Sequence, residues 1–337
     1  MSHHAPAGDP IAATDAWFLT HGLTYFVPEK RASVRAALRP RRIVPLLAVT
    51  VLGAAAVAVT LSLVVDGESY LPATLWTLFG VVAAWYALTA LEAGSIVSWA
   101  LARTFGSLRT LLPMMTRALP MLLVFVTFLF INAEVWEVAS WLGTGELWLV
   151  ALLFGTLAGA FLLVRLPEEV DRTDDHVDEA LLLQSTAGTP LESLTRDLVD
   201  DPDADPASYA EVGGYERWNL ILVLVVIQAT QVLLLAVTVF GFFMLFGSLI
   251  MDPHIVENWT GGPPDSIPHL DHVSAELVRV SVFLAAFSSL YLTVSTVTDE
   301  TYREQFFGSV MREMERAVGV RAVYLALRDR RPVPEVD

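Results

Sequence analysis

Residues 118–142 read ALPMLLVFVTFLFINAEVWEVASWL, a stretch apolar enough to enter a bilayer that nevertheless carries Asn132, Glu134 and Glu137. At roughly −0.3 to −0.6 kcal/mol for each Leu, Phe, Val or Ile, its first half gains about 3–6 kcal/mol on insertion. A carboxylate at the bilayer centre costs about 2.5–3.5 kcal/mol on the same scale. The two glutamates must therefore lie towards one end of a span or find partners. Their three-residue spacing puts them on one helix face with Thr127 and Trp141, a face expected to point into the protein.

Five other runs are similarly apolar: residues 43–65, 75–101, 147–164, 219–250 and 274–298. Each has the length and composition of a membrane span. The composition agrees, with 54% hydrophobic residues and a mean hydropathy of +0.54. The fold class expected is an all-α integral membrane protein, a six-helix transmembrane bundle with amphipathic terminal helices. Some forty mostly polar residues precede the first apolar run, so no cleavable signal peptide is expected.

Orientation follows from the arginines, since Lys and Arg accumulate on the cytoplasmic side. Residues 30–42, 103–117, 165–217 and 303–331 hold essentially all the positive charge, whereas the turns at 66–72 and 143–146 hold none. Both termini are thus expected in the cytoplasm. The organisation read from the chain is a cytoplasmic interfacial arm (1–42), spans one to four (43–164) and an acidic cytoplasmic loop (165–217). Spans five and six (218–298) follow with an external loop (251–273), and then a cytoplasmic amphipathic tail (299–337). The net charge of −16 is local: residues 168–216 hold fifteen acids against Arg172 and Arg196. The remainder is nearly neutral, so the lipid bilayer is an expected partner and nucleic acid is not.

Within that frame the polar residues are few. In the arm, Trp17, Phe18, Tyr25 and Phe26 beside Lys30, Arg31, Arg35, Arg39, Arg41 and Arg42 suggest an interfacial segment with a short helix opening at Pro28. It reads either as an anionic-lipid or partner-docking arm, or as the positive flank of the first span. Glu92, in the second span, has no cationic partner evident in its half of the membrane. With Thr89 and Ser95 beside it and Gln228 and Gln231 on span five opposite, it is the candidate proton or cation site, its carboxyl protonated by desolvation. Glu134 and Glu137 pair with Arg279, the one arginine expected inside a span, as an outer charge cluster. Each of these also reads as a structural polar contact between helices. Ser274, Ser281, Ser288 and Ser295 recur every seven residues as a seam suited to helix contact. In the tail, Phe306, Phe307, Val310, Met311 and Met314 form an apolar face.

Several chemistries are excluded. The chain has no cysteine, hence no disulfide, thiolate metal site or cysteine nucleophile. There is no phosphate loop, dinucleotide fingerprint, nucleophile elbow or zincin motif, so no catalytic residue and no cofactor is assigned. His254, Glu257, His269, Asp271 and His272 crowd the external loop without a diagnostic ligand spacing, and no metal is assigned. Asp201, Asp203, Asp205 and Glu211 resemble a calcium loop, but Pro206 occupies the position of the tight-turn glycine, and a solvated acidic linker is expected instead.

FLTHGLTYFVPEKR near the start, FLFINAEVWEVAS in the third span and TDETYREQFFGSVMREMERAVGVRAVYLAL at the end resemble uncharacterised multi-pass membrane proteins of actinobacteria. The resemblance implies a bacterial cell membrane and no activity. Two functions remain open. One is a channel or transporter for a small cation or proton using the intramembrane carboxylates. The other is a membrane scaffold or regulatory subunit that binds a protein partner, or further copies of itself, at the cytoplasmic face through the acidic loop and terminal helices.

Overall fold

A computed structural model describes residues 9–64, 71–106, 122–174, 177–267, 270–298 and 300–330. Most of them are helical. Helix α1 (Pro10–Thr20) is capped by the Asp9 carboxylate, which accepts from the Ile11 amide, and a 3-10 turn at Thr24–Phe26 leads into α2 (Pro28–Ala37). Pro28 opens α2 at a position where a missing amide hydrogen costs nothing. Then come α3 (Pro40–Val64), α4 (Leu71–Thr89), α5 (Gly94–Gly106), α6 (Leu122–Phe130), α7 (Ala133–Trp141) and α8 (Thr144–Asp174). Next are α9 (Glu179–Thr186), α10 (Glu192–Val199), α11 (Gly214–Ile250) and α12 (Pro253–Thr260). A small antiparallel hairpin of β1 (Ser266–Ile267) and β2 (Leu270–Ser274) precedes α13 (Ala275–Thr298) and α14 (Glu300–Asp329).

Five helices are long and apolar enough to cross a membrane: α3, α4, α8, α11 and α13. The pair α6–α7 makes a sixth if taken as one span. This is the architecture of an all-helical multi-pass membrane protein. Apolar side chains such as Val49, Leu52, Val81 and Phe128 are exposed on its flanks, as lipid contact requires.

Two of the expected spans are broken. The third is not continuous over 118–142: α6 and α7 meet at 71° across Ile131–Asn132, and residues 118–121 lie outside the described residues. Asn132 breaks the helix because its side chain caps a new one, accepting from the Glu134 amide at 2.9 Å. The Trp136 indole N–H then donates back to the Phe130 carbonyl at 2.6 Å, fastening the bend. The second expected span ends at Thr89, not at residue 101. The Ala93 amide closes onto the Ala87 carbonyl at 3.1 Å, and Glu92 takes the left-handed conformation (φ 51°) that ends a helix. By contrast, α11 runs unbroken for 37 residues.

Two apolar cores result. The first lies at the end that carries both terminal segments. It gathers Phe18 and Phe26 from the arm, Ile96 of α5, Leu166 of α8, Leu182 of α9, Leu220 and Leu224 of α11, and Val318 and Tyr324 of α14. This core lies largely beyond the spans, where excluding water gives roughly 1.5–3 kcal/mol per large side chain buried. The second lies within the bundle, around Phe130, Trp136, Phe243, Val280 and Leu284. Lipid is as apolar as leucine, so close fit holds that core together. Gly247 supplies it: a Cβ there would collide with Leu277 and approach Phe130 within 3.0 Å.

Within the acidic segment the apolar spacing of residues 178–200 forms two short helices, α9 and α10, and the stretch after them is packed down. Leu182, Leu191, Leu198, Ala210 and Val212 are buried in the first core, and α9 packs along α14. Gly319 allows the approach, since a Cβ there would meet Ser185 Oγ at 2.5 Å. The acids of the stretch expected as a solvated linker serve locally. Asp201 accepts from the Asp203 amide and pairs with Arg330 at 2.8 Å, and Asp205 caps Ser208. The described part of the amphipathic tail is one helix, with Val310 and Met314 buried, while the side chains of Phe306 and Phe307 lie outside the described residues.

Candidate functional site

The N-terminal arm wraps the turn between α4 and α5. Glu92 stands at the apex of that turn, and its carboxylate accepts from Lys30 Nζ at 2.5 Å and from Ser33 Oγ at 2.6 Å. Tyr25 OH donates to the Leu91 carbonyl at 2.7 Å, and the Thr24 and Ser95 hydroxyls meet at 2.6 Å. Tyr86 OH on α4 donates to the Ala37 carbonyl at 2.7 Å, so the arm is fastened to the turn on both sides. Glu92 is therefore neither unpartnered nor held within a span. Burial pushes its carboxyl up, but the hydrogen bonds from Lys30 and Ser33 outweigh this and hold it below the usual carboxylate range.

Glu92 is also not brought to the glutamines. Thr89 bonds its own helix, at the Trp85 carbonyl, and Ser95 faces Thr24. Gln228 and Gln231 are buried on α11 where the two apolar cores meet, between Ile227 of the first and Leu235 of the second. Among the described residues neither amide atom of Gln228 has a hydrogen-bond partner, and the Gln231 carbonyl oxygen has none.

The outer cluster is likewise separated. Glu134 and Glu137 are exposed on α7, whose opposite face, with Trp136 and Ala139, packs inward. Asn132 sets this register, and it places Glu134 in the first turn of α7, where the helix dipole favours a carboxylate. Arg279 donates to the Ser140 carbonyl at 2.9 Å, and among the described residues no ion pair joins it to Glu134 or Glu137. Of the serine seam, Ser281 and Ser288 are fully buried, Ser288 bonding its own helix at the Leu284 carbonyl.

The densest polar arrangement was not singled out by sequence reasoning. Glu216, at the start of α11, is 3% exposed and lies between two guanidinium groups. Arg31 of α2 donates to its Oε1 at 2.7 Å, and Arg321 of α14 donates to its Oε2 at 2.6 Å. Arg321 also donates to the carbonyls of Tyr209 (2.7 Å) and Glu211 (3.1 Å), satisfying the acidic segment's backbone. One turn along α11, Asn219 accepts from the Tyr25 amide at 2.8 Å and donates to the Gly22 carbonyl at 2.9 Å. Arm, acidic segment, span and tail thus converge on two side chains of α11.

Near this junction a cavity of about 290 Å³ opens between α1, α5, α11 and α14, lined by Trp17, His21, Trp99, Arg103, Glu313 and Arg316 among others. Arg103 and Glu313 pair across it at 2.5 Å, and the Arg316 guanidinium sits 5.7 Å from the Trp17 ring. Among the described residues no group of three or more His, Asp or Glu side chains is placed to hold a metal ion. Side chains of the external-loop candidates Asp271 and His272, and all of His269, lie outside the described residues.

The arrangement is suited to fixing elements together, since the charges of Arg31, Glu216 and Arg321 are spent on one another. No protein-family model, curated protein or solved structure matches the chain.

Proposed function

We propose that the chain is a membrane scaffold or regulatory subunit, with six spans in a bacterial cell membrane and both termini in the cytoplasm. The observation that carries this reading is the union of both terminal segments and the acidic segment in one folded head around Glu216. Of the carboxylates expected to serve conduction, Glu92 is ion-paired with Lys30 at a turn beyond α4. The positive charge supports the orientation: Lys30, Arg31, Arg103, Arg165 and Arg321 all belong to the end bearing the head. The head presents exposed Asp178, Glu179, Asp197, Asp200, Asp203 and Asp205, a surface complementary to a basic cytoplasmic partner.

The test pairs two measurements. Purified protein in proteoliposomes should pass protons and monovalent cations no faster than empty vesicles, under voltage or a pH gradient. Site-specific crosslinkers on the head should capture a cytoplasmic protein, and neutralising Asp197, Asp200, Asp203 and Asp205 together should abolish that capture. A second reading, cation or proton passage, draws on the Gln228 amide and the Gln231 carbonyl oxygen, which have no hydrogen-bond partner among the described residues. Flux that falls on Gln228→Leu would establish it and remove the scaffold reading.

A further inference from the structure

We propose that a groove between α2, the end of α4 and α11 seats one anionic phospholipid, its acyl chain against Leu91 and Leu222 and its phosphate against Arg35 and Arg39. The groove has a volume of about 510 Å³. Val34 and Leu38 of α2, Leu91 after α4, and Tyr215, Trp218 and Leu222 of α11 line it. It exists because α4 packs on α3 and α8 and leaves the start of α11 open on this side. Trp218 is 58% exposed beside it, at the level where the apolar run of α11 begins. Tryptophan and tyrosine favour that depth, with an apolar ring body towards the acyl chains and a polar edge towards the headgroups.

Charge identifies the occupant. Of the six cations in the arm, Lys30 and Arg31 are engaged by Glu92 and Glu216. Arg35, Arg39, Arg41 and Arg42 are exposed, and among the described residues none of them forms an ion pair. All four lie within a few residues of Leu38. Arg35 is placed over the groove wall, its guanidinium carbon 5.8 Å from the Tyr215 ring centroid. An apolar slot with the Arg35 guanidinium over its wall, and Arg39 next in the chain after the lining Leu38, matches an acyl chain joined to a phosphate, a group that arginine binds in a bidentate manner. An ordinary positive flank would need the arginines but not the slot.

The test is native mass spectrometry of delipidated, detergent-solubilised full-length protein, titrated with phosphatidylglycerol or with phosphatidylcholine of the same acyl chains. The expected result is a single phosphatidylglycerol adduct at least tenfold tighter than the phosphatidylcholine adduct. Arg35→Gln/Arg39→Gln should weaken it by roughly tenfold or more. Leu222→Trp, which fills the slot and leaves the charge intact, should weaken both lipids. Circular dichroism on each variant checks that the fold is kept. Equal affinity for the two lipids overturns the proposal, as does binding indifferent to the arginine pair. A loss with the arginine variant but none with Leu222→Trp also overturns it, since the lipid would then be held by surface charge alone.

Discussion

Glu216 and Arg321 stand 105 residues apart in the chain and meet with 2.6 Å between Oε2 and Nε. Both are buried, at 3% and 8% exposure, and Arg31 completes the triad from the arm. Withdrawing charges from water is costly, so such a group is stable only while every partner is present. Glu216→Gln should leave two guanidinium groups facing a neutral amide and destabilise the head by about 3–5 kcal/mol. The same range is expected for Arg321→Met, which also orphans the Tyr209 and Glu211 carbonyls. In thermal unfolding of the solubilised protein, the double variant should lose far less than the sum of the two singles. Additive losses would mean that the pair does not act as a unit.

The Lys30–Glu92 pair is of a different kind. Its side chains are 40% and 29% exposed, so solvent screens it, and Lys30→Met should cost only about 0–1 kcal/mol. Glu92 also carries the left-handed backbone, a strain of roughly 1–2 kcal/mol that glycine would relieve. Glu92→Gly should therefore be nearly neutral in Tm, whereas Glu92→Ala, which keeps the strain and loses both hydrogen bonds, should be clearly lower. The carboxyl is held below its ordinary value of 4.5, so its contribution is fully present above that pH and lost as pH falls through the lowered value. Equal Tm losses for the glycine and alanine variants would show that the backbone conformation carries no strain.

These two contacts also show what can be read from the chain. The spans were legible because each must be a long apolar run, and α3, α8, α11 and α13 lie close to where those runs fall. The ends of α4 and α6 were harder. Glu92 occupies a left-handed position without the glycine that would announce it, although Asn132 followed by Ala-Glu inside an apolar run is a helix-start signal. The ion pairs were not legible, because Glu92 finds Lys30 across 62 residues and Glu216 finds Arg31 across 185. Periodicity assigns a residue to a face and says nothing of what arrives there. Arg321 did carry a trace, as the only charge in AVGVRAVYLAL (317–327), where a lone cation in a buried run implies a buried anion.

Two tyrosines of the head set an alkaline limit. Burial pushes the Tyr25 hydroxyl up to about 12, with the Glu92 charge adding to it. Burial and the hydrogen bond to Asp15 push Tyr324 to about 12 as well. A raised folded-state value means that the native head holds these protons more tightly than the unfolded chain, whose tyrosines titrate near 10.0. Stability from this source is fully present below pH 10 and falls as pH rises towards 12. Tyr25→Phe and Tyr324→Phe should each flatten the decline in Tm above pH 10, at the cost of one hydrogen bond, about 1 kcal/mol, at neutral pH. An ultraviolet titration showing both tyrosines ionising near pH 10 in the folded protein would contradict this.

Gln228 decides between a structural and a conducting bundle. Its side chain is 1% exposed on α11, and among the described residues neither its amide nitrogen nor its oxygen has a partner. An unpaired buried amide costs about 1–3 kcal/mol, and leucine has similar length without that cost. In a protein whose spans only anchor the head, Gln228→Leu should raise Tm by several degrees and leave partner capture unchanged. Gln231→Leu should act in the same direction but more weakly, because only its carbonyl oxygen is orphaned. Calorimetry of wild type and both variants in one detergent makes the measurement. A fall in Tm on Gln228→Leu would mean that the amide is satisfied by bound water or an ion in the working protein, and the space where the two cores meet would then be a wet one.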